Sequence, residues 1–193
     1  MQRIAKFSKV SFARFAEDWL DTFPNSTEAE AAEVYDHIKL PKRATSGSAG
    51  YDFYSPSDFE LAPSETVKIP TGIRVEIVDG WVLKCYPRSG LGFKYRLQLN
   101  NTVGIIDSDY FHSDNEGHIF AKITNDSNEG KTLSLEKGAG FMQGIFVALP
   151  YVEVLLAYAE QHGDIFLSDY VSLAEHRVLC NSFYYLGYVV AQH

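Results

Sequence analysis

Phe12, Phe15, Ala16, Trp19, Leu20 and Phe23 recur at i, i+3, i+4, i+7, i+8 and i+11, which gathers them into one apolar stripe of an α-helix. Ser11 stands where the helix needs an N-cap, and Pro24-Asn25-Ser26 ends the pattern. Thr27 and Glu30 have capping-box spacing, so a second short helix is predicted through about His37. Residues 1–37 therefore read as a helical appendage whose aromatic stripe is a docking surface.

From residue 38 the hydrophobic period shortens. Runs rich in β-branched and aromatic residues at 66–69, 73–78, 81–86, 96–99, 119–124 and 141–147 are separated by turn-forming groups such as Ser46-Gly47-Ser48, Pro70-Thr71-Gly72 and Asp79-Gly80. Many short strands at close spacing predict an all-β sandwich, jelly roll or barrel over residues 38–150, not an alternating α/β fold. Residues 151–193 change again. Val152, Leu155, Leu156 and Ala159 outline a helical face, and an aromatic end at 183–188 carries no assignable chemistry.

Composition narrows the function. With 193 residues and 46% apolar side chains the chain can bury one domain's core. Seventeen basic against twenty-five acidic residues argue against a nucleic-acid polymer or an anionic membrane as partner. A single small phosphorylated ligand is still allowed, provided a divalent metal bridges the like charges. No apolar run approaches the ~20 residues of a membrane-spanning helix. The N-terminus carries Arg3, Lys6, Lys9 and Arg14 but no continuous hydrophobic stretch, so no secretory signal is read and a cytoplasmic protein is expected. Two cysteines make no disulfide framework, and Cys85, inside an apolar run, is expected as a buried free thiol.

The phosphate-binding loop Gly-x-x-x-x-Gly-Lys-Ser/Thr, dinucleotide Gly-x-Gly-x-x-Gly and His-Glu-x-x-His are absent. His112 and His118 flank an acidic loop at a spacing that fits no usual zinc site, so both are expected in solvent. Four segments remain where Gly, acid and hydroxyl residues interrupt the β pattern. They are 48–55 around Gly50-Tyr51-Asp52, 87–94 around Arg88-Ser89-Gly90, 101–110 around Gly104-Ile105-Ile106-Asp107, and 137–144 ending Met142-Gln143-Gly144. Each alone reads as a β-turn. Arg88-Ser89-Gly90 offers adjacent backbone N–H groups, a hydroxyl and a cation, the parts of a phosphate nest. Around Gly104, expected at positive φ, a hairpin can present backbone donors and acceptors to a base edge. Asp107 is then a carboxylate at the end of a buried strand, able to take a proton from water.

In order and spacing the four segments resemble motifs I to IV of the trimeric dUTPase family, over about residues 38–148. The resemblance implies a distorted jelly-roll β-barrel, a homotrimer with sites at subunit interfaces, and hydrolysis of dUTP to dUMP and pyrophosphate with Mg²⁺. Such a reaction limits uracil incorporation into DNA and supplies dUMP. By similarity, Asp107 is the general base for the water attacking the α-phosphorus, and Asp52 holds Mg²⁺ through its waters. Arg88, Ser89, Gly90 and Gln143 bind phosphate. Asn101, Gly104 and Ile106 line the uracil hairpin, while Tyr110 packs on deoxyribose and leaves no room for a 2′-hydroxyl.

The sequence also departs from the family. Ala139 and Gly140 stand where motif IV carries an acid and an arginine, so one cation is missing. An insertion, Phe111-His112-Ser113-Asp114-Asn115, follows Tyr110. No Gly-rich arm with an arginine is found after residue 148, so reduced activity is expected. The alternative is a catalytically impaired trimer that binds dUTP or dUMP in a regulatory role. The related dCTP deaminase reading needs a catalytic glutamate and a cytosine pocket, and neither is seen.

Overall fold

The structure is a computed structural model in which residues 3–149 are described. The expectations for 151–193 and for a missing arm fall outside those residues. Met1–Val78 together with Val82–Val147 form one compact unit, which contains every candidate residue named above; Asp79–Trp81 groups with the chain beyond Val147.

Strand β1 (Ala5–Lys9) is followed by helices α1 (Phe12–Thr22) and α2 (Glu28–His37). Both predicted caps are made. Ser11 Oγ accepts from Arg14 N, and Thr27 and Glu30 bond each other reciprocally. The apolar stripe of α1 buries Phe15, Ala16 and Trp19 against Val10 and Ala31, with Phe12, Phe23, Tyr35, Ile38 and Phe59 around them. The appendage is not wholly helical. The alternation in Ala5–Lys9 is too short to register beside a helical pattern, yet it pairs antiparallel with β5 (Ile73–Ile77), Phe7 opposite Val75.

Among the described residues nine further strands follow: β2 (Tyr51–Tyr54), β3 (Phe59–Leu61), β4 (Thr66–Pro70), β6 (Trp81–Pro87), β7 (Leu97–Leu99), β8 (Gly104–Ile106), β9 (Phe120–Asn125), β10 (Leu133–Leu135) and β11 (Gly140–Ala148). The sheets run β4-β9-β7, β2-β11-β6-β8, β10-β3 and β1-β5. This is the expected all-β, jelly-roll-like architecture. Period-2 patterning drives it: Ile73, Val75 and Ile77 point inward between Arg74 and Glu76, and Ala121 and Ile123 flank exposed Lys122. Cys85 is buried as expected, and burial pushes its thiol up to about 12.

Three local expectations change. Segment 97–106 is not a self-paired hairpin, since β7 pairs with β9 whereas β8 pairs with β6. The turn between them places Thr102, not Gly104, at positive φ (64°). Gly104 is needed for closeness instead: a Cβ there would stand 3.1 Å from Cys85 Cβ. Nor is β8 buried along its length, since Ile105 and Asp107 are exposed.

A further change concerns His118, which is fully buried, not solvated. Its Nε2 accepts from Gly72 N at 2.8 Å, which fixes the proton on Nδ1, and Nδ1 donates to Asp18 at 2.6 Å. The segment that looked like an acidic loop is therefore the seat of α1. Burial holds the imidazole below its ordinary value, although Asp18 acts the other way. A histidine kept neutral in the fold adds stability that is complete above its unfolded value near 6.5 and fades as acid charges the unfolded chain. Denaturant midpoints are accordingly expected to fall from pH 7.5 to pH 5.5 more steeply in the wild type than in His118→Gln. Asp18→Ala, which strands a buried N–H, should cost about 1–3 kcal/mol at pH 7.5 in the same titrations.

Candidate active site

Three of the four Gly-containing segments meet at one place. Asp52 on β2 lies opposite Gln143 on β11 in the antiparallel register. Arg88 closes β6 and begins helix α3 (Ser89–Tyr95), its N–H donating to Phe141 O at 3.0 Å. Its Nε lies 3.6 Å from Asp52 Oδ1, with side-chain exposures of 45% and 13%. An ion pair this exposed is worth about 0–1 kcal/mol, so a phosphate can take over the guanidinium at little cost. Tyr54 completes the cluster; burial raises its phenol above the ordinary value, Asp52 adds to this and Arg88 opposes it.

Glycines make the approach possible. A Cβ on Gly140 would stand 2.7 Å from Arg88 Nη1, and one on Gly50 would stand 2.7 Å from Gln143 Oε1. The guanidinium of Arg88 thus occupies the space that a side chain at 140 would claim. Lys39, which sequence reasoning missed, also enters here. Its Nζ lies 5.8 Å from the Tyr54 ring centre and 2.8 Å from where a Cβ on Gly138 would be. The linker after α2 carries no motif, so nothing in the sequence pointed to that lysine. Ser89 and Gly90 are exposed in the first turn of α3, where backbone N–H groups have no intrahelical partner.

The remaining candidates lie elsewhere in the same chain. Gly104 faces Cys85 and Ile106 faces Leu83 across the β6–β8 ladder, so Asp107 comes level with Val82. Arg88 lies six positions further along β6, about 20 Å at strand rise. Asn101 is exposed in the turn before β8. Tyr110 follows β8 in a single turn of 3₁₀-helix, Asp109–His112, half-buried, its Oη donating to His118 O at 2.8 Å. One chain therefore brings together Asp52, Arg88 and Gln143, with Ser89 and Gly90 adjoining, and holds Asp107 and Tyr110 apart from them.

This pattern of segments matches the dUTPase family model over residues 36–163, more than half of the chain. The chain belongs to the dUTPase family. It is 42% identical over 111 residues to the deoxyuridine 5'-triphosphate nucleotidohydrolase of Lactococcus lactis subsp. lactis (strain IL1403), 57% of this chain and 73% of that protein. The crystal structure of the dUTPase from Streptococcus mutans superposes with a TM-score of 0.55 at 32% identity, covering 75% of this chain and 95% of that one. The dUTPase of phage phi11 of S. aureus, in which a structural Mg(II) ion is coordinated, shares the fold at 20% identity and TM-score 0.54, over 77% of this chain and 92% of that one.

The space over Gly140 gives a direct test. Gly140→Ala should move the Arg88 guanidinium off Asp52 while costing less than the about 1–3 kcal/mol of overpacking a rigid core, because the displaced atoms end a flexible side chain. A crystal structure of the variant with Nε still beside Asp52 would contradict this.

Proposed function

We propose that this dUTPase-family chain hydrolyses dUTP to dUMP and pyrophosphate, in sites that two subunits of a homotrimer build together. The observation that carries the shared site is the spacing along β6. A triphosphate gripped by Arg88, Ser89 and Gly90 cannot also present its α-phosphorus to the Asp107 carboxylate of the same chain some 20 Å away. The phosphate grip of one chain and Asp107 of its neighbour meet the same nucleotide instead. In this reading residues 1–37 form an appendage to the catalytic barrel of 38–150.

In the reaction a water oxygen bonds the α-phosphorus as the α–β bridging P–O bond breaks, and the electrons of that bond leave with pyrophosphate. Asp107 orients the water and accepts its proton. The N–H groups of Ser89 and Gly90, the Arg88 guanidinium and the Gln143 amide hold the phosphates where negative charge develops. Mg²⁺ supplies further neutralisation of the leaving group. Asp52 would be the residue to hold it, through water, because Mg²⁺ is content with one or two carboxylates plus substrate oxygens.

Specificity for uracil comes from fixed backbone groups around Asn101, Gly104 and Ile106. Uracil offers N3–H as donor and O4 as acceptor, and cytosine reverses both, leaving buried groups unpaired at about 1–3 kcal/mol each. Tyr110 faces the deoxyribose and bars a 2′-hydroxyl. Among the described residues no helix is long and apolar enough to cross a membrane, and the reading places the enzyme in the cytoplasm.

Pyrophosphate release is expected from dUTP and not from dCTP, dTTP or UTP, and Asp107→Asn should lower it roughly 10²–10⁴-fold. Co-refolding inactive Asp107→Asn chains with inactive Arg88→Ala chains at equal amounts should restore about a quarter of the wild-type sites, because each site takes the two residues from different chains. Mixtures no more active than the separate variants would sink the shared-site assignment.

A further inference from the structure

The Tyr110 phenol is tethered by two residues that the sequence analysis did not assign to the site, Asn115 and His118. Its Oη donates to His118 O at 2.8 Å and accepts from Asn115 Nδ2 at 2.9 Å, so both roles of the hydroxyl are filled. Asn115 ends the segment after Tyr110 that the sequence reads as an insertion. The loop closes tightly on the Tyr110 backbone: Ser113 Oγ donates to Tyr110 O at 2.7 Å, and Gly117, at φ 71°, would bring a Cβ within 2.8 Å of the same oxygen.

The far side of this loop is fastened to α1. Glu116 accepts from Ser11 N at 2.8 Å and from Ser11 Oγ at 2.6 Å, at the helix's own N-cap. His118, whose carbonyl receives the Tyr110 hydroxyl, sends its ring to Asp18 at 2.6 Å and receives Gly72 N at 2.8 Å. A continuous run of hydrogen bonds therefore leads from the N-terminal helix, through one buried histidine, to the phenol.

We propose that the insertion and the N-terminal helix act together as a positioning device for Tyr110, setting how strictly the sugar pocket excludes ribonucleotides. The proposal rests on the assignment of Tyr110 to the deoxyribose. Deoxyribose and ribose differ by one hydroxyl, and an apolar wall that can yield rejects an added hydroxyl only weakly. A ring whose hydroxyl is paired as donor and as acceptor cannot swing aside without leaving those partners unpaired. Asn115, His118 and Asp18 are positioning residues in this scheme; none touches the nucleotide.

The test is the ratio of affinities for α,β-imido dUTP and α,β-imido UTP, measured by calorimetry on the full chain with Mg²⁺. Neither analogue needs to turn over, and a ratio taken on one sample does not depend on how much of it is folded. Tyr110→Ala should abolish most of the wild-type preference. Tyr110→Phe and Asn115→Ala should each narrow it about tenfold, and the two together no further, because they cut the same tether. Asp18→Asn, or Ser11→Ala should the first not fold, should narrow it about twofold to threefold from a distance. An unchanged ratio in Tyr110→Phe and Asn115→Ala, beside a lost preference in Tyr110→Ala, overturns the proposal and leaves the sugar assignment standing. A wild-type ratio in Tyr110→Ala brings down both, and a wild-type ratio in the α1 variants alone overturns the part given to the helix.

Discussion

Strand β6 is the ruler of this molecule. Its antiparallel ladder with β8 sets Cys85 against Gly104 and Leu83 against Ile106, and the same strand ends in Pro87, next to Arg88. Because a ladder cannot slip by one residue without turning every side chain to the opposite face, this spacing is rigid. Val82, Leu83 and Cys85 are buried, and a Cβ on Gly104 would press to 3.1 Å from Cys85 Cβ. The separation between the Arg88 end and the Asp107 end is thus built into the core itself. In the proposed function, a nucleotide that uses both ends draws on more than one copy of the chain.

The acidic balance of the protein fits this arrangement. A net charge of −8 disfavours any extended anion, yet Arg88 stands beside the Asp52 carboxylate and Lys39 lies over the ring of Tyr54, two residues along β2. In the proposed function, binding one triphosphate there calls for local positive charge and mobile cations, not a basic face. Two side chains fill the space at the motif IV positions that lack an arginine. Gly140 gives its volume to Arg88, and Lys39 arrives from the linker over Gly138.

Much of the fold was legible because the hydrophobic period states it directly. The stripe of α1, both caps, and the strands β4, β5, β6, β9 and β11 follow from spacing and turn residues, with ends that move by a residue or two. The short strands β3, β8 and β10 have three residues each, too few for a period to show. Strand β1 hid beside a strong helical pattern, since pairing with β5 across most of a domain leaves no local trace. The candidate site was legible as wording, not as geometry. Asp52, Arg88 and Gln143 could be named from their segments, but their meeting point depends on register, and Lys39 has no segment to announce it.

His118 shows the same limit and what lies behind it. Between Glu116 and Ile119 it reads as one more polar loop residue, because periodicity records which face of an element is apolar and says nothing about a ring that is buried with both nitrogens paired. Its partners, Asp18 and Gly72, lie 100 and 46 positions away in the chain. Neither the helix nor the insertion explains itself alone: an exposed aromatic stripe on α1 has no use without a seat, and an insertion of polar residues has no use without something to hold. The packing resolves both at once. The carboxylates of α1 and of the loop, Asp18 and Glu116, each find a donor on the other element, and the carbonyl of the His118 they hold receives the Tyr110 hydroxyl.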